Sequence, residues 1–191
     1  GDGNIFRAIR LDDNQKQYLT VSPEKKHDFN ALTSAITVST WFRVVTFNRR
    51  YQSLITKGDN SWRLLRLANT KQLEFAVNGA EGDTKGNAEV YSSDVADEKW
   101  HCAVGVFDSS TLKIYLDGKL QHTKENMRGS IRANDYNVRF GGCEQKNERF
   151  FNGFFEEIRI LQKPMDENWV KLCYENQKQN QTLVSFPSGH P

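Results

Sequence analysis

The chain has 191 residues, 26 basic against 24 acidic, for a formal net charge of +2. That length implies one domain, and twelve Phe with four Trp give it enough bulk for a real core. The charges are interspersed rather than gathered into a basic stripe, which argues against nucleic acid as a partner, and no apolar run approaches the ~20 residues of a membrane-spanning helix.

The dominant period is two. Alternating or β-branched and aromatic segments run in order through "QYLTV" (17–21), "AITVSTWFRVV" (35–45), "QSLITKG" (52–58), "WRLLRLA" (62–68) and "QLEFAVN" (72–78). They continue through "HCAVGVFD" (101–108), "LKIYLDG" (112–118), "YNVRFGG" (136–142) and "GFFEEIRIL" (153–161). Between them stand Gly58-Asp59-Asn60, Asn69-Thr70-Lys71, Asn78-Gly79, Asp108-Ser109-Ser110, Asp117-Gly118 and Gly141-Gly142, all turn formers. Many short strands at this spacing predict an all-β antiparallel sandwich of the jelly-roll kind, or a barrel.

One helix is predicted, after Pro164. In "MDENWVKLCYENQ", Asp166 suits the N-cap, and Trp169, Leu172 and Cys173 share a face. The domain is expected over 1–178, with 179–191 a polar tail or linker. The opening "GDGNIFRAIR" has no apolar core of the signal-peptide kind, which leaves the compartment open.

Cys102, Cys143 and Cys173 have no CxxC spacing, so a structural zinc site is not indicated. They fit one disulfide plus a free thiol, or three buried apolar side chains, and the second is the simpler reading. His101 and Cys102, adjacent on a strand, point to opposite faces and cannot act as a nucleophile–base pair. Trp100 reads as a core plug and His101 as structural, because no motif supplies the rest of a catalytic constellation.

Residues 98–120, "EKWHCAVGVFDSSTLKIYLDGKL", resemble the central hairpin of laminin G-like, concanavalin A-like jelly-roll domains, with a Trp-His strand and a Tyr-Leu-Asp-Gly end. "LDDNQKQYLTV", "AITVSTWFR", "SLITKG", "VRFGG", "FNGFFEEIRIL" and the closing "MDENWVKLCYENQ" resemble the family's other strands and its helix, in order, over roughly 5–175. The resemblance implies a concanavalin A-like sandwich. It also implies, for some members, a structural Ca2+ near the position of Glu156, where the family usually has Asp, helped by Asp12 or Asp13. Calcium takes ~6–8 oxygens, and solvated surface carboxylates are the competing reading. The closing segment resembles that of secreted or envelope-anchored bacterial modules, implying an extracellular or cell-envelope location.

The same sandwich carries glucanases and lyases, so fold does not decide function. Retaining glycosidases hold two carboxyls ~5–5.5 Å apart, whereas Glu74 is alone on its strand and Glu156 and Glu157 point opposite ways. A binding role, not an enzyme, is therefore expected. If Leu73, Phe75 and Val77 face inward, Glu74 faces out; if Leu65 and Leu67 do, Trp62 and Arg66 face out. By the same alternation Tyr115 and Arg139 face out. Trp62, Arg66, Glu74, Tyr115 and Arg139 then form a candidate platform for a polysaccharide or glycan, although a core position suits Trp62 equally well. Tyr51, Tyr91, Phe150 and Phe151 are a second candidate patch. A protein partner, as in an adhesion module, is the alternative.

Overall fold

The computed structural model describes residues 8–21, 29–81, 87–178 and 183. In chain order the strands are β1 (Ile9–Leu11), β2 (Leu19–Val21), β3 (Ile36–Val44), β4 (Ser53–Lys57), β5 (Trp62–Arg66), β6 (Gln72–Asn78) and β7 (Ala80–Glu81). They are followed by β8 (Asn87–Asp94), β9 (Trp100–Phe107), β10 (Leu112–Leu116), β11 (Lys119–Lys124), β12 (Arg128–Gly129), β13 (Val138–Phe140) and β14 (Gly153–Leu161). One helix, α1 (Glu167–Gln177), closes the described chain.

Two six-stranded sheets stack as a sandwich, β1-β14-β3-β9-β10-β11 against β2-β13-β4-β5-β6-β8, and every pairing is antiparallel. The all-β jelly-roll expectation holds. Residue alternation builds the core: Ile36, Val38, Phe42 and Val44 of β3 face Leu64, Leu73, Phe75 and Val77 of the second sheet. Gly105 of β9 sits directly beneath Phe75, where an added Cβ would lie 2.4 Å from the ring. Only a residue without a side chain lets the sheets approach this closely.

The first sheet has a second apolar layer on its outer face. Trp41, Cys102, Val104, Val106 and Tyr115 pack there under Val170 of α1. The Asp166 carboxylate accepts from the Trp169 backbone N–H at 2.8 Å, capping the helix as its sequence predicts. The Asp117-Gly118 turn also forms as expected, with φ of 52° and 74° joining β10 to β11.

β8 and β11 were not foreseen. "KLQHTK" has a single apolar residue, the exposed Leu120, and lies at the edge of its sheet, so it carries no apolar period. The two edges are tied to each other: His122 Nδ1 and Gln121 Oε1 of β11 accept from the Tyr91 and Ser93 backbone N–H groups of β8, each at 3.2 Å. All three cysteines are free; Cys102 and Cys143 are buried and Cys173 is half-buried. The expected tail, 179–191, lies outside the described residues except for Leu183. No helix among the described residues is long and apolar enough to cross a membrane.

Candidate functional site

The five residues of the expected platform do not come together. Trp62 is fully buried between the sheets, because on β5 it shares a face with Leu64, not with the outward residues. Arg66 follows the same parity to the rim of the sandwich. There its guanidinium donates to the carbonyls of Thr70, Arg49 and Asn69 at 2.7, 2.5 and 2.8 Å and lies over Phe47. Tyr115 does point away from the core, but from the other sheet, and α1 seals it to 2 % exposure. Glu74 and Arg139 share the outer face of the second sheet, three strand spacings or about 14 Å apart. The second patch fails similarly, since Phe151 is core and Phe150 is buried against Tyr18.

Around Glu74 that outer face carries a closed charge network. The Arg63 guanidinium reaches Glu74 Oε1 at 3.0 Å, Glu89 Oε1 at 3.3 Å, Asn78 Oδ1 at 2.7 Å and Asp59 Oδ1 at 3.7 Å. Arg149 bridges to Asp59 on the far side, and the Tyr91 hydroxyl donates to Glu89 at 2.8 Å. Burial, with the Glu89 and Asp59 charges alongside, pushes the Glu74 carboxyl up to about 7 despite Arg63. At 3 % exposure Glu74 offers no surface to a polymer.

His101 faces the core beside Phe42, its Nδ1 2.8 Å from Asp117 Oδ2 and its Nε2 2.9 Å from Asp97 Oδ1. Burial opposes its charge, but the two carboxylates outweigh that and raise its pKa. With both nitrogens committed to structural partners, it is a clamp holding two turns, in line with the structural reading of the sequence.

Asp12 and Glu156 do not make a calcium site. Leu11 stands opposite Gly153, so Asp12 lies one residue beyond it while Glu156 lies three residues the other way. At ~3.3 Å per residue they are about 13 Å apart, too far for oxygens ~2.5 Å from one ion. Asp13 is fully buried and already taken by Arg49 and Asn152. Among the described residues no group of three or more His, Cys, Asp or Glu could hold a metal ion.

The surface that remains open is one the sequence reading missed. Across four adjacent strands of the first sheet, Arg10, Phe154, Arg43 and Trp100 stand in one register row. Their neighbours Leu11, Phe155, Phe42 and Val44 all belong to the core, so the row faces outward. Arg43 lies 4.4 Å over Phe154 and 5.8 Å from Trp100, and Arg10 lies 5.3 Å from Phe154, so cations and rings alternate. Phe154, Arg43 and Trp100 are half-buried and Arg10 is exposed. Trp100 is thus not a core plug: it shares the outward face of Cys102, as its alternation requires.

The row is bordered on both sides. In the next outward row, two residues back along β3, lies Trp41, stacked on Tyr174 at 5.6 Å with its indole N–H donated to Gln177 of α1 at 2.7 Å. Beyond the end of β3 opens a cleft of about 310 Å³ lined by Val44, Val45, Phe47, Arg66, Lys71 and Glu98, among others. The row and the cleft lie near each other, since Val44 follows Arg43 on β3 and Glu98 precedes Trp100 by two residues, and a concave surface beside aromatic side chains is a form that binding sites take.

Two stacked antiparallel sheets closed by a short C-terminal helix define a concanavalin A-like sandwich. The chain belongs to the concanavalin A-like lectin/glucanases superfamily (Laminin_G_3), matched over residues 13–171. No curated protein sequence matches it. Among solved structures, the binding domain of Paraclostridial Mosquitocidal Protein 1 is similar in fold, with a TM-score of 0.66 and 18 % identity over 88 % of this chain and 43 % of that one. The binding domain of botulinum neurotoxin DC in complex with SialylT gives a TM-score of 0.59 and 16 % identity, over 84 % and 39 %. That of botulinum neurotoxin serotype D gives 0.59 and 15 %, over 84 % and 40 %. The chain therefore spans about two fifths of these neighbours' length, and the likeness is one of fold.

Proposed function

We infer that this domain is a non-catalytic carbohydrate-binding module of a larger secreted or cell-envelope protein, holding a polysaccharide or glycan. The observation that carries this reading is the outward Trp100–Arg43–Phe154–Arg10 row beside the 310 Å³ cleft. Sugar rings present C–H faces that pack on aromatic rings, and their hydroxyls accept from guanidinium N–H groups. Superfamily membership supports binding or hydrolysis alike. Binding is favoured because the buried carboxylates of the second sheet are consumed by arginine and tyrosine. The solved neighbours are binding domains, one of them in complex with SialylT.

Affinity electrophoresis through gels containing polysaccharides tests this reading. At least one polymer should retard the protein, and Trp100→Ala should lose that retardation while keeping a cooperative melt. A protein that ignores every glycan yet retains a protein partner belongs to the alternative class, an adhesion or protein-interaction module.

A further inference from the structure

Arg43 has a feature that simple sugar stacking does not use. It stands on β3 between two rings, yet its guanidinium has no hydrogen-bond acceptor and no carboxylate within 4 Å among the described residues, and its Nε is buried without a partner. Other buried or half-buried arginines have close partners: Arg49 with Asp13, Arg63 with Glu74 and Glu89, Arg66 with three carbonyls, Arg149 with Asp59, Arg159 with Glu157. Arg139 shares the buried, unbonded Nε, but a carboxylate, Glu144, stands 3.9 Å from it, as none does from Arg43. Arg10 is half-satisfied, donating from Nη2 to Asn152 Oδ1 at 2.8 Å and from Nη1 to the Gly153 carbonyl at 3.4 Å, again with no carboxylate within 4 Å.

A desolvated guanidinium with idle donors is strongly favoured by a planar or tetrahedral anion that accepts two N–H bonds at once. The row holds one such cation, Arg43, and on the other side of Phe154 an exposed, partly satisfied second one, Arg10. Acidic groups border it without neutralising it: Glu156 stands opposite Trp41 in the next outward row, and Glu98 lies on the cleft wall.

We propose that the Arg10–Phe154–Arg43–Trp100 row reads an acidic saccharide, its carboxylate or sulfate taken by Arg43 with help from Arg10 while a sugar ring rests on Trp100. This rests on the glycan reading and specifies its ligand.

The test measures affinity for polygalacturonate, dextran sulfate and neutral dextran at an ionic strength of about 0.15 M, where loose surface attraction is screened. An acidic polymer should bind, and Arg43→Gln should weaken it by about tenfold or more. Arg10→Gln should weaken it less, and Arg128→Gln, an exposed cation off the row, should leave it unchanged. Preference for polygalacturonate assigns a carboxylate ligand, and preference for dextran sulfate a sulfate; either supports the site. If Arg43→Gln does not fold, Arg43→Lys keeps the charge without the fork and should still lose several-fold. Binding of neutral dextran alone, or equal losses from Arg43→Gln and Arg128→Gln, overturns the acidic-ligand inference and leaves the glycan reading intact. Failure to bind any saccharide overturns both.

Discussion

Several side chains hold a proton differently once the chain folds, and together they fix a pH profile. Burial raises Glu74 from an ordinary 4.5 to about 7, so between those values the folded protein keeps a proton that the unfolded chain has released. Stability therefore falls as pH rises through that window. Burial and the Glu157 charge raise Glu156, which adds to the same trend. The carboxylates around His101 raise it above 6.5 despite burial, so its contribution is complete below 6.5 and is lost as pH rises through the folded value. Asp13 and Asp97 run the other way. Burial raises each, but hydrogen bonds, led by Arg49 for Asp13 and by His101 for Asp97, bring them below 3.8. Their contribution is present above 3.8 and is lost as pH falls through the folded values. The urea midpoint should thus be higher at pH 5 than at pH 8, and Glu74→Gln should flatten the slope between them. A midpoint that climbs from pH 5 to pH 8 would contradict this assignment of the buried groups.

At the scale of elements, two contacts position the Arg10–Phe154–Arg43–Trp100 row, and each has its own substitution. Gly105→Ala would drive a methyl into the Phe75 ring, where β9 carries the strand that holds Trp100. Overpacking at such a contact costs about 1–3 kcal/mol, readable as a lower denaturation midpoint. Helix α1 covers Trp41 beside the row, and Asp166→Ala removes its cap at a cost of about 1 kcal/mol. The near-ultraviolet dichroism of the Trp41–Tyr174 stack should weaken with it. These elements also show what the residue pattern could and could not reveal. β3, β6, β9 and β10 were legible because their apolar residues alternate, and α1 was legible from its Asp166 cap, although its packed side is Val170 with Trp169 and Tyr174, while Leu172 of the expected Trp169–Leu172–Cys173 face is exposed. The facing of β5 was not, since Leu64 and Leu65 are both fully buried and offer no contrast between faces. Trp100 was placed on the correct side of β9 and still misread. Two apolar faces flank that strand, and only the packing of α1 reveals which is the core and which the outer layer.

For the whole molecule, the two sheets divide the open and closed surfaces between them. On the outer face of the second sheet, acids and bases neutralise each other across β5, β6 and β8, and the side chain that burial tunes toward neutrality, Glu74, is out of reach of any polymer. A general acid must touch the glycosidic oxygen in some pose, by hydrogen bond or through one water. Glu74 satisfies the acidity and fails the access. The outer face of the first sheet has the opposite character: its aromatic and guanidinium groups are half-open, and the adjoining outward row carries Glu156, one residue before the bulge at Glu157 on β14. The proposed ligand contact and the acidity of Glu74 therefore sit on different faces of the sandwich. Purified protein incubated with any polysaccharide that retards it should release no new reducing ends, and Glu74→Gln should leave that retardation unchanged. Reducing ends that appear with the wild-type protein and vanish with Glu74→Gln would mean that the second sheet opens to substrate in solution, and would make the domain an enzyme.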